Sequence, residues 1–436
     1  MTEAVQHDPR AKARAEAAEA LLETAAPDAG VNGLSALRAD ATQRFRRIGP
    51  ALPRDEYWRY MGPAPFNKPT PTARPASSVP AAAAGPFSQL DPLPIVFVNG
   101  RFNRDLSGDL SAAGVEIAAL SDPAAPDWAK AALGRLEAEG QQPVARPYAA
   151  LNGALATDGA AIRAVGRATR PIELRYLGDS DEANYLRHVI DVQDGGAVTL
   201  LETGASAARF STVIEANLAA NAEFHHVRLQ TEDRLERVDA HLFARLAEAA
   251  RLKSFTLSAA SGARAIRNES VLWLEEDDAS AHVAGAVSGR GKAQIDNTVF
   301  LTHGGLRGES RQVYKNVLDQ QAKGVFQGKI LVRDGAQKTD GYQISQSILL
   351  SETASFNAKP ELEIYADDVA CSHGSTTGAL DETALFYLRS RGVEPAVARR
   401  LLIEAFYTEA IEEIADPTLR EAVETHMREL TSAALA

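Results

Sequence analysis

Between residues 161 and 371, nearly half of this 436-residue chain, short apolar or β-branched runs alternate with turn residues. Residues 172–177 and 325–332 are typical strand sequences, and Gly304-Gly305 is a typical turn. Because no long helical pattern interrupts the runs, a doubly wound α/β fold is excluded, which leaves a sandwich, a barrel or a solenoid. The region is too long for one sandwich, and we therefore predict an all-β core that is a parallel β-solenoid (β-helix).

Helical patterns flank this core. Residues 9–47 carry apolar side chains at helix spacing. Towards the other end, Asp381 can cap one helix, Pro395 suits the first turn of a second, and Asp416-Pro417 opens a third. We divide the chain into an N-terminal helical region (1–62), a Pro/Ala-rich linker (63–92), a mixed α/β lead-in (93–160), the β-helix core (161–377) and a C-terminal helical domain (378–436).

Two shorter features fall in the lead-in. An apolar run that meets Asn99-Gly100 predicts a β-hairpin. A short helix is expected over residues 128–139.

The composition narrows the cellular locations and the classes of partner to be expected. With 46 basic and 58 acidic residues the formal net charge is −12, which argues against a nucleic-acid partner. No apolar run approaches the roughly 20 residues that span a bilayer, and the charged, alanine-rich N-terminus does not have the pattern of a secretory signal. The single cysteine excludes an intrachain disulfide and fits a reducing compartment. We expect a cytoplasmic protein without a membrane partner.

The candidate functional residues lie in the segment 365–378, which we expect to form a loop that closes the β-rich region. It contains the only cysteine, Cys371, two residues before His373. If the preceding strand continues, both side chains point to the same face. One thiol and one imidazole could touch the same iron or sulfur species, but a single cysteine cannot build a four-thiolate cage. If this is a cluster site, the other ligands come from another molecule.

Each of these residues also has a simpler interpretation. His373 taken alone is more often a loop histidine bonded to a backbone carbonyl, and Cys371 a small buried apolar residue. In His225-His226, adjacent strand residues face opposite sides, so we expect one to be interior and the other exposed, without a shared metal ion. His303 is expected to be a turn residue.

Two motifs suggest other activities. Asp367, Asp368 and His373 on a β-helix could belong to a carbohydrate-active hydrolase, but adjacent carboxylates supply the required separation poorly. The stretch from Gly324 to Lys329 superficially resembles a phosphate loop, but its spacing is short by one residue and its surroundings are strands. We therefore expect no ATP binding by this chain itself.

Several separated motifs resemble one family in the right order. They are residues 52–60, 97–101, 151–154, 224–226, 323–330 and 337–340 with Gln343, and lastly residues 371–376. Together they resemble the SufB/SufD family of the bacterial SUF iron–sulfur cluster assembly system, and residues 371–376 look like the SufD version. The resemblance covers most of the chain, from about residue 52 to residue 414.

The resemblance implies a structure and a function. It implies a right-handed parallel β-helix between helical regions, and a chain that is a scaffold subunit of a SufBCD complex and not itself an enzyme. A SufB-like paralogue would pair through the β-helix, and a SufC-like ABC ATPase would bind the C-terminal helices. A transient iron–sulfur cluster would form at the interface and be shared with the partner subunit, with His373 and Cys371 as ligands and His373 as the iron ligand. Without its partner the chain has an exposed β-helix edge, which makes a homodimer plausible.

Overall fold

The computed structural model describes residues 9–24, 32–71, 85–232 and 234–435. Its centre is a parallel β-solenoid, which confirms the predicted fold class. The strands are β1 (Leu93–Val98), β2 (Arg101–Phe102), β3 (Glu116–Ala119), β4 (Ala160–Ala164), β5 (Ile172–Leu177), β6 (Ser180–Val192), β7 (Ala197–Gly204), β8 (Ala207–Leu218), β9 (Glu223–Gln230), β10 (Arg237–Leu246), β11 (Arg251–Ala260), β12 (Ala265–Leu274), β13 (Ser280–Gly289), β14 (Gln294–His303), β15 (Glu309–Leu318), β16 (Lys323–Val332), β17 (Asp340–Leu349), β18 (Ser355–Ile364) and β19 (Ala370–Gly378).

Two facing sheets form the walls of the solenoid. Sheet one has ten strands in the order β19-β17-β15-β13-β11-β9-β7-β5-β1-β2, and sheet two has nine in the order β18-β16-β14-β12-β10-β8-β6-β4-β3. From β5 onwards the chain alternates between the sheets, so each strand pairs in parallel with the strand two further along. Strands β1 to β3, from the predicted lead-in, form the first end of both sheets.

The interior follows from the two-residue alternation of strands. Inward side chains such as Ile266, Leu272 and Ile295 form one continuous apolar cluster along the solenoid. One corner of successive coils is a stack of left-handed residues: Asn221, Ala249, Asp278, Arg307 and Lys338 all have positive φ. The amide of each residue in this stack donates to a carbonyl of the next coil. Their stacking keeps the coils in register.

Eight α-helices flank the solenoid in the described part of the chain. They are α1 (Pro9–Glu23), α2 (Ser35–Ile48), α3 (Asp127–Ala132), α4 (Arg135–Glu139), α5 (Pro147–Leu155), α6 (Glu382–Ser390), α7 (Pro395–Ile411) and α8 (Pro417–Leu435). Three predicted helix starts are confirmed: Asp381 accepts from the amides of Thr383 and Ala384, Pro395 is in the first turn of α7, and Asp416 accepts from Leu419.

The C-terminal helices lie against the outer face of sheet one. Ile403, Tyr407 and Ile411 pack on outward residues such as Phe255 and Val313. The Tyr407 hydroxyl donates to the Val287 carbonyl at 2.9 Å. The apolar character of α7 on more than one face is therefore explained in part by this packing.

The lead-in confirms one prediction and corrects another. Asn99-Gly100 joins β1 to β2, with Val98 opposite Arg101, as the hairpin signal predicts. The single helix expected over 128–139 is wrong: Gly134, at φ 76°, separates α3 from α4. The Glu215 carboxylate accepts from the Gly134 amide at 2.7 Å and the Glu137 amide at 3.0 Å, so a buried strand residue caps α4 and fixes the break.

Most of the predicted Pro/Ala-rich linker, residues 72–84, lies outside the described residues. Among the helices that the structure describes, none is both long and apolar enough to cross a membrane.

Candidate functional site

The segment with Cys371 and His373 is mostly a strand. Residues 370–378 form β19, the last strand of sheet one, so the expectation of a loop is wrong over this part. The pairing is regular from Ala370 opposite Asp340 to Gly378 opposite Ile348. Its glycines weaken the strand preference of this segment, but the preceding coil offers a row of backbone partners, and this tertiary context decides the conformation.

Cys371 and His373 lie on the same face of β19, the face that continues the solenoid interior. Two hydrogen bonds identify this face: Ser345 Oγ donates to Ser375 Oγ at 3.1 Å, and Ser347 Oγ donates to Thr377 Oγ1 at 3.0 Å. By two-residue alternation, Cys371 and His373 stack in the same way over Gly341 and Gln343. Within the described residues no further strand pairs with the outer edge of β19, and His373 is exposed to solvent.

Cys371 is partly buried at one side of this open end. It packs beside an apolar cluster that contains Ile330, Val332 and the partly buried Leu362. Burial raises the pKa of the Cys371 thiol above its usual value, while the Gly341 backbone amide acts in the opposite direction. At neutral pH the sulfur is therefore a protonated thiol, which must lose its proton before it can bind a metal.

His225 and His226 face opposite sides of β9, as predicted. His226 is interior: its Nε2 is 2.7 Å from Glu202 Oε1 and its Nδ1 is 2.9 Å from Ser254 Oγ. From the sequence we expect the other histidine to be exposed, but His225 is partly buried in a groove beside Asp416. Burial lowers the pKa of His225 to about 4. The groove forms where the connection between α7 and α8, with Ala415 and Asp416, lies beside the solenoid wall.

His303 is not a turn residue. It is the last residue of β14, is fully buried, and its Nε2 lies 2.9 Å from Ser310 Oγ. Burial lowers the pKa of His303 to about 4, so its ring is neutral. The stretch from Gly324 to Lys329 lies inside β16 and makes no phosphate loop.

Asp367 and Asp368 lie in the short connection between β18 and β19, and both are exposed. The Asp368 backbone is tied into the stacked corner: its carbonyl accepts from the Lys338 amide at 2.5 Å and its amide donates to Gln337 Oε1 at 2.9 Å. The carboxylates therefore stand at a corner of the solenoid, whereas His373 lies on the inner face of the strand that follows.

The strongest surface feature that the sequence reasoning missed is an aromatic pair on α6. Phe386 is 71% exposed and Tyr387 is 55% exposed, and Leu401 on α7 is 41% exposed. A second exposed apolar pair lies at the end of β18: Ile364, its last residue, is 39% exposed, and Tyr365, which follows it, is 65% exposed. Adjacent large apolar residues on a short capped helix are the sequence signal for the first patch.

The described residues contain no group of three or more His, Cys, Asp or Glu side chains that could hold a metal ion. What the open end presents is one thiol and one imidazole on the inner face of its last strand.

These observations define a class: a parallel β-solenoid flanked by helices, with a thiol and an imidazole at its open end. Residues 175–406 match the family described as "SUF system FeS cluster assembly, SufBD core domain". The chain belongs to this SufBD family.

Two curated relatives match along most of the chain. The iron–sulfur cluster assembly protein SufD of Escherichia coli is 29% identical over 406 residues, which cover 87% of this chain and 89% of the relative. An iron–sulfur cluster assembly SufBD family protein of Synechocystis is 30% identical over 388 residues, 83% of each chain. The SufD protein of Bacillus subtilis is 34% identical over 128 residues, 29% of each chain.

Proposed function

We propose that this chain is a non-enzymatic, cytoplasmic scaffold subunit that helps to form and transfer a nascent iron–sulfur cluster. The observation that carries the proposal is the inner face of β19, where Cys371 and His373 share one face at the open end of the solenoid. Family membership supplies the cargo, since the relatives are iron–sulfur cluster assembly proteins. The cluster would be substrate, held transiently and shared with a partner.

Pairing with a SufB-like paralogue is supported by the open edges of β18 and β19. Each of these strands has a hydrogen-bonded neighbour on one side only among the described strands, so backbone donors and acceptors of the other edge can extend into a second solenoid. The exposed Ile364 and Tyr365 add apolar surface beside this edge. In the absence of the paralogue, the same edges would support a homodimer.

Binding of a SufC-like ABC ATPase is supported by the C-terminal helices. Phe386, Tyr387 and Leu401 leave apolar surface on α6 and α7 open, while the opposite side of α7 is fixed to sheet one through Tyr407. A movement of two ATPase subunits could thus be transmitted to the solenoid and expose the strand with Cys371 and His373.

The two candidate ligands would contribute differently. The His373 side chain offers an imidazole nitrogen as a ligand atom. Cys371 has to release its proton on binding iron, and burial raises its pKa and therefore disfavours that step. We accordingly propose His373 as the primary iron ligand of this chain and Cys371 as the secondary one.

The test of partners is an anaerobic purification of the tagged full-length chain from its own cells. We expect a longer paralogue and an ABC-type ATPase to co-purify in stable amounts. Recovery of the chain without either protein would contradict the scaffold proposal. Turnover of an acidic or neutral glycan by the isolated chain would instead support the hydrolase alternative at Asp367, Asp368 and His373.

The test of the site is cluster yield in the reconstituted complex. We expect His373→Ala to lower the yield strongly while complex formation remains intact. Ser375→Ala is the matched control, because Ser375 lies on the same face of the same strand two residues away and has no metal-ligating group of comparable strength. An undiminished yield with His373→Ala would remove His373 from the proposal.

The test of the ATPase surface is the double substitution Phe386→Ser with Tyr387→Ser. We expect loss of ATPase binding with unchanged pairing to the paralogue, since the two surfaces are on different elements. Ser390→Ala, on the same helix, is the control. Full ATPase binding by the double variant would show that this patch is not the docking surface.

A further inference from the structure

Near the open end lie two buried glutamines whose side-chain amides find no hydrogen-bond partner in the described part of the chain. Gln312 on β15 and Gln343 on β17 are both fully buried. The amide oxygen and nitrogen of each side chain lack a partner among the described residues. Buried polar groups in native proteins are bonded to protein or to ordered water, so four such atoms in one place call for a ligand or a bridging water.

The two glutamines and His373 form one column. Gln312 pairs in register with Gln343, and Gln343 pairs in register with His373. All three lie on the inner face of sheet one, in adjacent strands spaced by about 4.8 Å. Gln343 is therefore the only side chain between the buried Gln312 and the exposed His373 in this column.

The opposite wall of the solenoid leaves room for the amides. A side-chain carbon at Gly328 on β16 would lie 2.8 Å from Gln312 Oε1 and 2.9 Å from Gln343 Oε1. The two amides therefore point at the backbone of Gly328 from across the interior. The aromatic ring of Phe326 lies beside them, since its Cζ would be 2.7 Å from the same carbon.

An imidazole that binds a metal through one nitrogen needs a partner at the other. That partner fixes the tautomer and the ring orientation, and its loss typically lowers metal affinity by about 10- to 100-fold. A glutamine amide can both donate and accept, directly or through one water. In the register of β17 and β19, Gln343 is the side chain placed to do this for His373.

We propose that Gln343 is a positioning residue for His373, supported by Gln312 in the preceding coil. Its amide fixes which ring nitrogen carries the proton, and the other nitrogen then faces the open end with its lone pair free. The inference rests on the proposed function for its consequence in cluster assembly, but the tautomer of His373 is a property of the isolated chain.

The tautomer is measured on the full-length chain labelled with ¹⁵N-histidine. The two ring nitrogens of each neutral histidine give different ¹⁵N shifts, and His373→Asn identifies the signals of His373. We expect one tautomer to dominate in the native chain. In Gln343→Met, which keeps the length of the side chain but removes the amide, we expect the balance to move to that of free imidazole.

Two variants control for indirect effects. Ser345→Ala removes the neighbouring interior hydrogen bond to Ser375 and should leave the His373 tautomer unchanged. Gln312→Met, one coil further from His373, should produce a shift in the same direction but a smaller one. An unchanged tautomer in Gln343→Met, in a chain with native thermal unfolding, would overturn the proposal. A shift in Ser345→Ala as large as that in Gln343→Met would equally overturn it.

Iron binding then separates this inference from the proposed function. With ferrous iron added anaerobically to the reconstituted complex, we expect Gln343→Met to weaken binding about tenfold. If His373→Ala keeps full cluster yield but Gln343→Met shifts the tautomer, the proposed function fails and the positioning role stands. If His373→Ala abolishes the yield and Gln343→Met changes neither tautomer nor binding, only the inference fails.

Discussion

His226 and His373 lie in the same inward column of sheet one but in opposite environments. Register pairing leads from His226 through Ser254, Val283, Gln312 and Gln343 to His373. His226 is buried in the middle of the solenoid with partners on both ring nitrogens. His373 is exposed in the last coil, next to a glutamine with no partner among the described residues.

The difference separates a structural ionisable network from a candidate site. Around His226, the carboxylate of Glu202 also accepts from Tyr176 and Arg228, so the Glu202 charge is paired with the Arg228 guanidinium. At the open end the side chains have unused hydrogen-bonding and ligand capacity. The same fold position thus stabilises the solenoid where coils continue and is available for binding where they stop.

The largest expected effect is a loss of stability when the buried pair of Glu202 and Arg228 is broken. Glu202→Ala leaves the Arg228 guanidinium buried without its carboxylate, and we expect a loss of about 3–5 kcal/mol in the free energy of unfolding. Urea denaturation of the full chain measures this. Ser375→Ala, on the open face, is the control. A loss below about 1 kcal/mol for Glu202→Ala would remove the contrast between the two regions.

The second effect is a loss of stability in acid. Burial lowers the pKa of His188 to about 4, against about 6.5 in an unfolded chain. Between these values the unfolded chain binds a proton that the folded chain does not. Stability therefore falls as the pH drops from about 6.5 to about 4, by up to about 1.4 kcal/mol per unit for this histidine.

His188→Asn tests this pH dependence. It should flatten the decline in urea midpoint between about pH 6.5 and about pH 4. Ser258→Ala, an interior substitution without a titrating group, should shift the midpoint equally at both ends of the range. Equal slopes for the native chain and His188→Asn would contradict the interpretation of His188 as a neutral interior residue.

A smaller effect concerns the reactivity of Cys371. Because burial raises the pKa of its thiol, we expect the midpoint of the rise in iodoacetamide alkylation with pH to lie above about 8.5, the midpoint for a free cysteine. The chain has one cysteine, so mass spectrometry follows this site alone. A midpoint near that of a free cysteine would place the sulfur in solvent and not beside Ile330 and Val332.

The smallest expected effect on stability is that of His373→Ala. The side chain is exposed in the terminal strand, so the free energy of unfolding should change by no more than about 0.5 kcal/mol. Cluster yield should nevertheless fall. A large loss of stability in this variant would show that His373 is a structural residue like His226, and would contradict the distinction between the two histidines.

Much of the fold could be predicted from local signals. The Asn99-Gly100 hairpin, the cap at Asp381 and the first-turn Pro395 depend on neighbouring residues only, and all are confirmed. The break at Gly134 could not be predicted, since it depends on Glu215, which is distant in sequence. The strand at residues 370–378 could likewise not be predicted with certainty from local signals, because its backbone partner is β17, about thirty residues earlier in the chain.

The sequence by itself determined the class of fold, because strand alternation and turn residues act over a few neighbours. It also limited the chain to one thiol, which made shared ligands the natural hypothesis for a cluster site. Only the tertiary structure decided that Cys371 and His373 lie on the inner face of the last coil, with Gln343 in register beside His373. Register between strands about thirty residues apart is set by packing of whole coils, which no local pattern records.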